Sequence, residues 1–158
     1  MTRSGGPATT GRGLVWRGLV ALTAVGILAT AFELYSVHHW NGVEQLVPWV
    51  ALAVLAVATA LVVAPGGTGA VAARVLALLV LAASVYGVVD HALVNFGSGP
   101  LDQRFAESWD ALPLLTRVWY AVTTEVGPAP TLAPGVLGQT ALLLVLATLG
   151  DARRPAGR

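Results

Sequence analysis

All three histidines of this chain, with two of its eight acids, fall in two short stretches, "ELYSVHHWN" at 33–41 and "VVDHALVN" at 88–95. Imidazole and carboxylate together suit zinc, copper, iron or nickel, or a relay that passes protons, because histidine titrates in the useful pH range. Glu33, His38, His39, Asp90 and His91 are the candidate ligands, and the cofactor they imply is a transition metal. Helical spacing puts Tyr86 with Asp90, and His91 with Asn95, on common faces at i, i+4. Glu33 and Trp40 would also share a face, whereas the adjacent His38 and His39 diverge by about 100° if the helix runs on. The spacing matches no compact motif such as H-E-x-x-H, so a site would have to be assembled between helices. Three histidines are too few to hold two haems by paired axial ligands.

The elements that must position these groups are membrane helices. The 158 residues are 56% apolar and 11% charged, with a mean hydropathy of +0.74, which leaves too little polar surface for a soluble domain. Spans are expected at about 14–35, 46–64, 71–96 and 132–150, each near the roughly 20 helical residues that cross a hydrocarbon core of about 30 Å. "NGVEQ", "APGGTG", "FGSGP" and "GPAPTLAPG" break the chain between them. The runs are continuous rather than alternating, which excludes a barrel. The fold class expected is an all-α membrane protein, a four-transmembrane-helix bundle with an amphipathic extracytoplasmic loop at 97–131 between helices 3 and 4. Residues 1–13 form a flexible cytoplasmic N-terminus, 14–150 a single membrane domain, and 151–158 a basic cytoplasmic tail.

Arginine placement sets the orientation, since basic residues near span ends stay in the cytoplasm. Arg3, Arg12 and Arg17 open the first span, Arg74 flanks the second loop, and Arg153, Arg154 and Arg158 follow the fourth. Arg104 and Arg117 are the whole opposing set, so both termini are expected inside the cell (inner or plasma) membrane. A cleaved signal peptide ending at "ATA" (29–31) is the rival, but cleavage would strand the C-terminal arginines on the wrong side. Under the uncut topology both histidine stretches close their helices at the extracytoplasmic surface. Tyr35, Trp40 and Trp49 then make an ordinary aromatic belt, and polar helix ends at such an interface need no further cause.

Phe105, Trp109, Leu112, Leu115, Trp119, Val122 and Val126 recur every three or four residues, with Arg104, Glu107, Asp110 and Arg117 off the stripe. Pro113 is expected to divide this segment into two short helices that lie in the interface and cap the bundle; a lid or a partner-docking surface is the alternative. Ala56 with Ala60, and Ala83 with Gly87, are expected to pack closely as small-xxx-small pairs. Gln139 is expected to bond across the bundle, and Gln45 joins Tyr86 and Asn95 as a supporting polar residue.

"HWNGVEQLVP" (39–48), "DHALVNF" (90–96) and "PTLAPGVLGQTALLLVL" (130–146) together resemble a family of small uncharacterised bacterial four-span integral membrane proteins. Members tend to carry a His before Gln-x-x-Pro, a mid-chain His with a downstream Asn, and a Pro-x-Leu-Ala-Pro-Gly entry to the last span. The resemblance covers most of the chain and singles out Glu33, His39, Gln45, Pro48, His91, Asn95 and the Pro130 to Gly135 run. It implies an architecture and no activity. "NFGSG" departs from it in lacking the acid that similar proteins often carry soon after the Asn, which weakens a metal site.

A net charge of +1 gives no reason to expect nucleic acid. The absence of cysteine removes thiol redox chemistry and iron–sulfur clusters. With no phosphate loop, nucleophile elbow or triad candidate, an enzyme is not expected. Three classes remain open: a structural or accessory membrane protein, which is the leading one; a metal- or haem-binding protein; and a small proton- or ion-coupled transporter. The partners expected are the lipid bilayer and another membrane protein or a second copy of the chain.

Overall fold

A computed structural model describes residues 7–65 and 69–150 of the chain. Arg3 and the three C-terminal arginines, which the topology leaned on, lie outside the described residues. Five α-helices follow in order: α1 Pro7–Ser36, α2 Val43–Val63, α3 Ala70–Ser98, α4 Leu114–Val122 and α5 Ala133–Leu149. Short 3-10 turns occupy Gly99–Leu101 and Trp109–Ala111, and no strand occurs among the described residues.

Gly13–Ser36, Val43–Val63 and Ala70–Leu101 are long and apolar enough to cross a membrane. α5 is apolar too, but at 17 residues, about 26 Å, it is shorter than the rest. The expected helix before Pro113 is reduced to the Trp109–Ala111 turn. Proline's ring disfavours helical backbone at the residue before it, and Leu112 is accordingly extended, with ψ of 143°.

The chain divides into two compact units, one made of the residues up to Ala82 and from Leu137 onward, the other of Ala83–Val136. In the first unit, Leu52, Leu55 and Ala58 of α2, Ala73, Ala77 and Val80 of α3, and Leu137, Ala141 and Leu144 of α5 make one buried cluster. Alanines stand among its leucines and valines because close helix approach contributes packing energy once both sides are apolar. The close pair on α3 is Ala73 and Ala77, both fully buried, whereas Ala56 and Ala60 are exposed, contrary to expectation. Gly26 of α1 meets Thr140 of α5 so closely that a Cβ would strike its side chain. Gln139 is exposed, one position off the buried Leu137, Thr140, Ala141, Leu144 and Thr148 face of its helix.

The polar contact of α5 comes instead from Thr148. Arg74 Nε donates to Thr148 Oγ1 at 3.0 Å, and Arg74 Nη2 donates to the Thr148 carbonyl at 3.2 Å. That carbonyl belongs to the last turn of α5, where the helix has no amide left to satisfy it and where a positive charge is favoured. Arg74 therefore finishes a neighbouring helix as well as flanking its own.

Beside this apolar core, much of the outward-facing surface is apolar too, while several threonines are buried. Leu14, Val15, Leu22, Val25, Leu28 and Phe32 of α1 are exposed, while Thr23, Thr30, Thr140 and Thr148 are buried. Water would penalise that arrangement, and a hydrocarbon surround favours it.

Candidate functional site

The first histidine stretch forms the turn between α1 and α2, and its geometry is that of a helix stop. The His38 amide donates to Tyr35 O at 3.1 Å and the His39 amide to Leu34 O at 2.9 Å, with His38 at φ 54°. This is a Schellman closure with a histidine in the left-handed position usually given to glycine. Histidine visits that region more readily than most residues, so the cost is small. Because α1 ends at Ser36, the expected common face of Glu33 and Trp40 does not form. Trp40 instead lies with Tyr35, His38 and Trp49, at ring separations of 5.6, 5.2 and 6.4 Å. Trp49 Nε1 donates to His39 O at 2.7 Å, and Gln45 Oε1 accepts from the Asn41 amide at 2.7 Å. Gln45 thereby covers a free amide just before α2, as an N-terminal capping side chain does. Glu33 is exposed near the end of α1.

The second stretch, in the Ala83–Val136 unit, has a different job. His91 and Asn95 share a face as the i, i+4 spacing predicts, and both grip the 129–131 segment. His91 Nδ1 lies 3.0 Å from Pro130 O. A carbonyl can only accept, so Nδ1 carries the proton. Asn95 is fully buried. Its Nδ2 lies 2.8 Å from Ala129 O and 3.1 Å from both Ala121 O and Thr131 Oγ1, while Oδ1 accepts the Ala129 amide at 2.8 Å. Thr131, also fully buried, donates its hydroxyl to Ala121 O at 3.2 Å.

Ala121 O is one of the orphan carbonyls at the end of α4, and two side chains satisfy it. α4 closes with the Glu125 amide on Tyr120 O at 2.9 Å and Thr124 at φ 56°, a strained position for a β-branched residue. Gly127 follows at φ +80°, and a Cβ there would strike Asn95. Only glycine meets both demands.

Aromatic rings fill the remainder of this unit. Trp109 is 2% exposed, seated against Gly99, where any Cβ would overlap the indole. Phe96 and Phe105 lie 5.7 and 6.4 Å from it, and Phe105 continues to Tyr120 at 5.1 Å. Arg117 stacks over Phe96 at 5.5 Å and reaches Asp110 at 3.5 Å. Ser84 donates to Pro134 O, and Gly87 leaves room for the Pro134 ring, as its expected role in close packing requires.

Arg104 is the clamp of the connection. Its Nη2 and Nε bond Asp102 at 2.8 and 3.1 Å, its amide bonds Asp102 Oδ1 at 2.9 Å, and Nη1 bonds Glu125 Oε1 at 2.8 Å. The Arg104 guanidinium, then its amide, hold the Asp102 carboxyl below its usual range. A carboxyl lowered by folding stabilises the fold fully above its ordinary pKa, about 4, and loses that contribution as pH falls through the lowered value. The Asp102 contribution to the thermal midpoint should therefore be constant above about pH 5 and diminish below about pH 4. Asp102→Asn should lower the neutral midpoint slightly and flatten the acid limb; an unchanged acid limb would mean that other carboxylates govern it.

Among the described residues, no group of three or more His, Asp or Glu side chains is placed to hold a metal ion. Glu33, His38 and His39 are distributed around a helix stop, and Asp90 and His91 are consecutive on α3 and point apart. Tyr86 is exposed and Asp90 is half-buried. Sequence reasoning passed over Gly99 and Gly127, and named Arg104 and Thr131 without their bonding roles. A fold-wide clue did exist: "GPAPT" carries turn residues at high density and supplies most of the acceptors that Asn95 needs. No family model, curated protein or solved structure matches the chain.

Proposed function

We propose that the chain is a four-span protein of the cell membrane, with both termini cytoplasmic, that serves as a structural or accessory component rather than as a catalyst. The observation that carries this is the Asn95 knot. The most buried polar side chain of the Ala83–Val136 unit has every hydrogen-bonding group taken up in holding the α3–α5 connection in one shape. Fully satisfied buried networks rigidify and specify a structure, whereas reactive sites keep groups in reserve. The exposed apolar side chains of α1, with threonines buried behind them, support the membrane setting. α5 supports a fourth crossing because its buried face belongs to the same apolar cluster as α2 and α3.

Purified wild-type protein and a His38, His39 and His91 triple alanine variant should both be colourless and free of stoichiometric metal. A metal or a Soret band present in the wild type and lost from the triple variant would overturn the accessory role. The topology is tested separately, since native cysteine is absent. Gln103→Cys should react with an impermeant thiol reagent from outside intact cells and Gly67→Cys should not; the reverse pattern would overturn the orientation.

A further inference from the structure

The α4 helix has its apolar side facing outward. Leu114, Leu115, Val118, Trp119 and Val122 are exposed, Leu115 at 83% and Trp119 at 65%, and they follow one stripe at i, i+1, i+4, i+5 and i+8. Arg117, Tyr120 and Ala121 turn inward, to Asp110, Phe96, Phe105 and Asn95. A surface helix in water has the opposite arrangement. Leu101, 82% exposed, adds to the apolar surface of the same unit. The exposed polar residues of the connection lie on both sides of α4, with Gln103, Arg104, Glu107 and Asp110 before it and Thr123, Thr124 and Glu125 after it, and none falls on the stripe.

The depth at which this stripe lies follows from α3. The candidate span Ala70–Leu101 has 32 residues, well beyond the roughly 20 that cross the hydrocarbon. That leaves a surplus of about twelve residues, and α4 is tied near the C-terminal end of this helix through Asn95. Trp119 within the stripe is the residue type that settles at a membrane–water boundary.

We propose that α4 is an interfacial helix whose Leu114, Leu115, Val118, Trp119 and Val122 face is sunk into the headgroup and acyl boundary of the bilayer. The occupant of this surface is lipid, in keeping with an amphipathic helix that lies in the membrane plane. This rests on the membrane placement proposed above.

The test places one nitroxide on the full-length chain, reconstituted in phosphatidylcholine vesicles at about one chain per vesicle. Labels go on Leu115→Cys, Trp119→Cys, Gln103→Cys and, within α2, the exposed Val57→Cys; these side chains are exposed, so folding is preserved. Expected are a mobile label at 115 and 119 with high oxygen and low nickel-chelate collision rates, and the reverse at 103. Nickel access at 115 and 119 equal to that at 103 would put the stripe in water and overturn the proposal. Immobilised labels shielded from both reagents, or spin–spin broadening that grows with chain density, would assign the stripe to protein and also overturn it. The label at 57 separates the two levels: if it too collides with nickel, the membrane placement itself fails.

Discussion

Replacing Asn95 with leucine is expected to release the whole connection between α3 and α5, at a cost of about 3 kcal/mol or more. Leucine fills nearly the same space but leaves the part-buried Ala129 amide and carbonyl without this partner and removes the donor to Thr131 Oγ1. Each stranded group costs on the order of 1–3 kcal/mol. Ala121 O keeps its bond from Thr131, so the end of α4 is loosened rather than abandoned. Thermal unfolding in detergent should show the loss, and amide exchange should rise first across 121–131. Asn95→Asp retains the acceptor for the Ala129 amide but loses both donors, so it should not restore stability. His91→Ala is the comparison: one exposed bond to Pro130 is lost, at about 1 kcal/mol or less. If the leucine variant were no less stable than His91→Ala, the knot would not be the keystone described here.

Trp109→Ala is expected to cost a further large amount, about 3–5 kcal/mol, the range for emptying a buried aromatic site. The indole is sealed by Phe96 near the end of α3, the bare face of Gly99 in the turn that follows and Phe105 in the loop beyond, so its removal leaves a cavity lined by ring faces and backbone. Trp119→Ala, six residues beyond Pro113 from the same original stripe, should change stability in detergent by less than about 0.5 kcal/mol because its ring is exposed. Gly99→Val should reproduce most of the Trp109→Ala loss by evicting the ring rather than deleting it. Denaturant titration of the three variants side by side gives the comparison. Equal losses at 109 and 119 would show that the two indoles share one environment, contrary to the packing observed.

The contrast between those tryptophans also marks where the sequence was legible. Periodicity placed Phe105, Trp109, Leu112, Leu115, Trp119, Val122 and Val126 on one stripe, and that holds only while one helix carries them all. The chain leaves helical geometry at Leu112 and resumes it at Leu114, so Phe105, Trp109 and Leu112 are turned in while Leu115, Trp119 and Val122 are turned out. The long apolar helices were readable to within a few residues at most ends, because continuous apolar composition and Gly/Pro breaks act locally. α1 is the exception, beginning at Pro7 rather than near Leu14.

The shared face of His91 and Asn95 was readable for the same reason, since four residues of regular helix fix it. What Asn95 bonds was not, because its partners are 26 to 36 residues away and most are backbone atoms, which leave no mark in composition. The His38 and His39 pair misled in the opposite sense. Adjacent histidines resemble ligands, but here one supplies a left-handed stop and the other a backbone carbonyl for Trp49. Side-chain chemistry was visible in the letters; the backbone role was not.

The bond between Arg74 and Thr148 has a consequence in time. The two residues are 74 positions apart, and at roughly 5 to 20 residues per second the ribosome takes about 4 to 15 s to make the second after the first. Throughout that interval the arginine has no Thr148 to bind, and the α1 surface around Gly26 awaits the Thr140 that will cover it. A nascent chain stalled before α5 therefore lacks both the threonine that covers Gly26 and the helix end that Arg74 binds. The packing of α1 and the pairing of Arg74 thus wait on the same helix, so both are settled in one step when α5 arrives.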